Sequence, residues 1–141
     1  MKIEYAISPD GTLDGKLDPD DLLGEVRIIG DQGFVMDEMT YIDSWLKSLI
    51  LAVIQIDEGM HSFSIDLIVE PDALNFRIDT QGLSIDYGQQ RTHIKRVTDF
   101  KSAVLAAVVD LLANLHSAVP EKSIAGLSAL IDFARSNRAT Q

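Results

Sequence analysis

Between Ser62 and Gly88 the chain reads "SFSIDLIVEPDALNFRIDTQGLSIDYG", three segments of alternating apolar and polar residues joined by "PD" and "TQG". Phe63, Ile65, Leu67 and Val69, then Leu74, Phe76 and Ile78, then Leu83, Ile85 and Tyr87 share one face of this period-two pattern. Joints this short cannot carry the crossover that parallel strands need, so the segments form an antiparallel meander. "RTHIKRV" extends it through Thr92 and Ile94, which places the meander within residues 60–97. Ser64, Asp66, Asn75, Arg77, Asp79, Ser84 and Asp86 occupy the opposite face, so that face is expected to be wet.

The other elements follow from changes of period. "KIEYAIS" alternates as a strand with one wet face, and the acidic stretch to residue 21 follows it. "GEVRIIG" and "FVMDEMT" flank "DQG", where Gly33 can take a positive φ, and read as a hairpin over 22–40. Ile42, Trp45, Leu46, Leu49, Ile50, Val53 and Ile56 then make a helical stripe over 41–57, with Thr40 as N-cap and Asp43 in the first turn. Thr98 is expected to cap a second helix, 98–117, on Phe100, Val104, Ala107, Val108, Leu111 and Leu115. Pro120 suits the start of a third, 121–137, on Ile124, Leu127, Leu130, Ile131 and Ala134. The expected fold is one α+β domain over 1–141, an antiparallel sheet of about five to seven strands with helices packed on one face.

The composition narrows the function. The chain has no cysteine, which excludes disulfides and thiolate chemistry, and its formal net charge is −10. Phosphate backbones and anionic membranes repel such a chain, so neither nucleic acid nor membrane is expected as a partner. Residues 1 to 43 carry eleven acids against Lys2, Lys16 and Arg27, a net of −8. The N-terminus lacks the apolar run of a signal peptide, and apolar runs such as "LILAVI" are far short of the ~20 residues that span a bilayer. A soluble, cytoplasmic protein is the expectation.

Chemical motifs are sparse. His61, His93 and His116 lack zinc-ligand spacing, and His61 beside Ser62 has no nucleophile elbow. No glycine-rich phosphate loop is present. Arg91, His93, Lys95 and Arg96 form a basic cluster without interleaved aromatics, read here as offsetting local carboxylates at a strand edge. The stretch "SPDGTLDGKLDPDD" holds five aspartates, but counted from Asp10 as a calcium loop it has Thr12 at the third position and no flanking helices. Its Asp-Gly pairs suit turns, and "DPDDLL" resembles a helix start with Asp18 as cap. No metal or cofactor is expected, with calcium in 8–21 a minor alternative.

"YIDSWLKSLILAVIQIDEG", the alternating "FSIDLIVEPDALNFRI" and "DFKSAVLAAVVDLLANL" together resemble small bacterial immunity proteins of polymorphic toxin and contact-dependent growth inhibition systems, over roughly residues 24 to 115. The resemblance implies a protein that acts without catalysis, covering a cognate toxin C-terminal domain, often a nuclease that is basic because its substrate is polyanionic. An acidic surface then steers association. The residues expected to meet such a partner are Asp18, Asp20, Asp21, Asp37 and Glu38, whereas Tyr41, Trp45 and Phe100 are read as core. Two other classes stay open: a small enzyme whose histidine and carboxylates meet only in three dimensions, and an adaptor or homo-oligomer subunit using the exposed sheet face.

Overall fold

A computed structural model describes residues 1–8, 12–13, 16–17, 22–67, 70–118 and 128–138. Among these, the strands are β1 (Lys2–Ile7), β2 (Thr12–Leu13), β3 (Lys16–Leu17), β4 (Leu23–Ile29), β5 (Gln32–Tyr41), β6 (Ser62–Ile65), β7 (Leu74–Asp79), β8 (Gly82–Tyr87) and β9 (Gln90–Ile94). The helices are α1 (Ile42–Asp57), α2 (Val97–Ala118) and α3 (Ser128–Arg138). Seven strands form one antiparallel sheet in the order β1-β4-β5-β9-β8-β7-β6, and β2 with β3 makes a separate two-stranded ribbon. The fold is therefore α+β.

The meander forms as its alternation predicts. Leu74, Phe76, Leu83, Ile85, Tyr87 and Ile94 are buried on one face, while Ser64, Asn75, Arg77 and Asp79 are exposed on the other. Asp66, expected on that wet face, lies past the end of β6 and is exposed on the helical side instead. Phe76 meets Phe100 of α2 with ring centroids 5.9 Å apart, and Trp45 of α1 meets Tyr87 edge to face at 5.2 Å. These contacts place α1 and α2 on the same side of the sheet. Fully burying such aromatic side chains stabilises the fold by roughly 1.5–3 kcal/mol each. The third helix packs on α1 and α2 and adds Leu130, Phe133 and Ala134 to the core. Phe133 was absent from the expected stripe, and Pro120, Ile124 and Leu127 lie outside the described residues.

Four expectations are corrected. Thr40 does not cap α1: it is a buried residue of β5, the N-cap is Tyr41, and the Thr40 hydroxyl instead accepts a hydrogen bond from Trp45 Nε1 at 2.9 Å. Thr98 lies inside α2, which begins at Val97. Leu22 is fully buried and Leu23 opens β4, so the chain enters a strand where "DPDDLL" suggested a helix. The strand β9, read as an edge, is central: it pairs with β5 on one side and β8 on the other, and Arg91 and Lys95 are exposed on its outer face and not at an open edge.

The end of α1 follows the chain's own signal. Gly59 takes φ +90, Met60 N–H donates to the Gln55 carbonyl and Gly59 N–H to that of Ile56, both at 3.0 Å, a Schellman closure. From there the chain crosses to the far edge of the sheet, and the meander returns strand by strand until β9 reaches β5.

Candidate functional site

The strand β5 pairs with β4 along most of its length but with β9 only at Gln32 and Gly33. The expected hairpin loop thus doubles as a strand, and Gly33, at φ +74, makes the change of partner sterically open. Thr92, fully buried, seals this end: its hydroxyl accepts from Gly30 N–H at 2.8 Å and donates to the Gly33 carbonyl at 3.0 Å. Further along, the strands part, and a side chain replaces the missing backbone pairing. The Gln90 amide accepts from Met36 N–H at 2.9 Å and donates to the Met36 carbonyl at 3.1 Å.

Where the strands have parted, three elements bring polar groups together. Asp37 stands opposite Val26 in the β4–β5 register, so its side chain turns toward the core side of the sheet. The Tyr87 hydroxyl donates to Asp37 Oδ2 at 3.1 Å and lies 3.5 Å from Glu70 Oε2. Partial burial, and then the neighbouring Asp37 carboxylate, raise the Glu70 pKa, while hydrogen bonds from Thr40 and Tyr87 favour its ionised form and limit the rise. Thr40, bonded by Trp45, thus links the α1 indole to the Glu70 carboxyl. Burial and the Asp37 charge also push the Tyr87 phenol up, so it stays protonated and acts as a donor. The groups of the cluster already satisfy one another.

On the other side of β5 a different surface is presented. An extra residue in β5 opposite the Gly24–Val26 stretch makes a bulge, and Asp37 Oδ1 accepts from Met39 N–H within it at 3.4 Å. Phe34, Met39 and Tyr41 are 53%, 63% and 38% exposed. Tyr41 is therefore surface and not core, in contrast to Trp45 and Phe100, which are fully buried. Glu38 is exposed beside Met39, and the ion-paired Arg27 and Glu25 lie on the neighbouring strand.

Of the five residues expected to meet a partner, Asp37 and Glu38 are consecutive but differently placed, the first half-buried in the carboxylate cluster and the second exposed. Asp18, Asp20 and Asp21 lie outside the described residues, as does most of the stretch considered for calcium. Among the described residues no group of three or more histidine, cysteine, aspartate or glutamate side chains is placed to hold a metal ion. His93 is engaged on both nitrogens: Nε2 donates to the Gln81 carbonyl at 2.7 Å, and Nδ1 is 3.2 Å from Ser84 Oγ. His61 is exposed, and the His116 side chain is outside the described residues. Arg91 pairs with Asp86, its Nη2 donating to Oδ2 at 3.0 Å, so the expected local offset of carboxylates does occur.

Sequence reasoning missed Glu70, which reads as the last residue of a strand segment before the "PD" turn, and the exposed apolar strip on β5. The strip did leave a trace, since "GFVMDEMTY" places large apolar residues on both phases of its alternation. Among the described residues no helix is long and apolar enough to cross a membrane. Comparison of the chain with protein-family models, curated proteins and solved structures finds no match.

Proposed function

We propose that this chain is a non-catalytic immunity protein of the cytoplasm that binds and neutralises a basic toxin domain, a nuclease, through the outer face of β5. The observation that carries this reading is the strip of Phe34, Met39 and Tyr41, exposed on a sheet face that no helix among the described residues covers, and set beside Glu38 in a chain of net charge −10. Aromatic and methionine side chains within a polar rim are the usual anchors of a protein interface. Carboxylates around them speed encounter with a basic surface and weaken in their effect as salt rises. Asp18, Asp20 and Asp21 belong to this steering role, and Asp37 sets the bulge that turns Met39 outward. A specific complex on this face would bury ~1,200–2,000 Å² in total.

The test is to read the neighbouring reading frames for a large secreted protein with a basic C-terminal domain and to titrate that domain against this chain by calorimetry. Replacing Phe34 and Met39 together with serine is expected to weaken binding by about tenfold or more. Asparagine at Asp18, Asp20 and Asp21 should lower the association rate and flatten its salt dependence. Binding untouched by both sets of changes would sink the proposal.

A further inference from the structure

On the other side of the sheet, α1 and α3 border a groove of about 670 Å³. Its walls are apolar, with Ile50, Val53 and Phe133 beneath and Leu51 and Ile54 standing 50% and 43% exposed, one turn apart on α1. The volume falls within the ~300–1,000 Å³ of ordinary binding pockets. At the same wall the buried Ser44 hydroxyl has no hydrogen-bond partner among the described residues, a departure from the rule that buried polar atoms are satisfied.

The rim gives the groove a sign. Among the described residues Lys47, Asp57, Asp66 and Asp132 border it, three acids against one base. Lys47 is 3.8 Å from Asp43 and Asp57 is bonded to Lys101 at 3.1 Å, whereas Asp66 and Asp132 enter no ion pair among the described residues. A second copy of this chain would bring like charges together, both at the rim and over two chains of net charge −10. An anionic amphiphile meets the same repulsion.

We infer that the groove takes an amphipathic helical segment of another protein, apolar on the face that enters and bearing lysine or arginine along its margins. Leu51 and Ile54 would meet the apolar face, and Asp66 and Asp132 the flanking cations, the helix-in-groove mode of recognition. This inference is independent of the β5 reading, because the groove lies in the helical layer and the strip on the opposite face of the sheet.

Fluorescence anisotropy on the full chain tests it, with two labelled peptides of about 14 residues, one of leucine and lysine and one of leucine and glutamate with the same apolar face. The leucine–lysine peptide should bind roughly tenfold or more tightly than its acidic counterpart. The double change Leu51→Gln with Ile54→Gln should weaken it about tenfold, and Asp66→Asn with Asp132→Asn severalfold, with a shallower salt dependence. Both pairs are surface changes, so an unshifted thermal melt will confirm the fold. The double change Phe34→Ser with Met39→Ser should leave peptide affinity unaltered, which separates this site from the β5 face. Equal affinity for both peptides, or no loss on changing Leu51 and Ile54, would show general adhesion to an acidic protein and overturn the inference.

Discussion

At the Gln32–Gly33 end of the seam between β5 and β9, backbone pairing is closed by a fully buried threonine hydroxyl. Toward Thr40 the same two strands have separated, and Gln90, Asp37, Tyr87 and Glu70 span the gap with side chains. The first end gathers neutral backbone groups on one fully buried hydroxyl, so removing that hydroxyl takes the partner of the part-buried Gly30 N–H with it. The second uses half-buried and ionisable groups, which water can partly replace and pH can modify. One seam thus combines a fixed joint with an adjustable one.

The largest effect is expected from Gly33→Ala. The positive φ is unfavourable for any side chain, and a Cβ there would collide with the Arg91 carbonyl oxygen. A loss of at least about 2 kcal/mol, about 6 °C or more in Tm, should follow in a thermal melt. Next comes a direct contrast between the two ends in urea titrations. Thr92→Val should cost about 1–3 kcal/mol because Gly30 N–H loses its buried acceptor, whereas Gln90→Ala should cost about 1 kcal/mol or less. Equal costs would break the distinction between the ends.

The smallest effect is the one that changes with pH. Glu70 has its pKa raised above the ordinary 4.5, so its protonated form favours the fold, and that contribution is lost as pH rises through the folded value. Glu70→Gln should therefore equal or slightly exceed the parent in stability near neutrality. Its advantage should shrink as pH falls below the ordinary glutamate range. Asp86 behaves in the opposite sense, since the hydrogen bond from Arg91 lowers its pKa and its contribution disappears in acid. Because both chains share Asp86, the difference between their melting curves isolates Glu70, and a difference that grows in acid would contradict the assigned direction.

The sheet was legible wherever pairing is local. Period-two alternation from Phe63 to Ile94 marks the meander, and Gly59 marks the end of α1, because both depend on neighbours in the chain. Thr40 misled because a threonine just ahead of a helical stripe fits a cap as well as it fits a buried partner for Trp45, and only the packing of that indole decides. Arg91 and Lys95 misled for a similar reason: charge on the wet face of a strand says nothing about whether its edges are paired. The carboxylate cluster was not legible at all. Asp37, Glu70 and Tyr87 come from separate elements, and their meeting depends on where β5 and β9 part.

The path of the chain through the sheet also orders its assembly in time. The β4–β5 hairpin and the β6-to-β9 meander each join neighbours in sequence, whereas Gly30 and Thr92 are 62 residues apart. Local units form before long loops close, since closure costs entropy that no contact repays until the ends meet. On that ordering the β5–β9 seam is expected to knit last in the sheet and to be little formed in the folding transition state. Weakening it should leave the rate of folding nearly unaltered and let the native protein open sooner, so the seam governs how long this molecule lasts once folded.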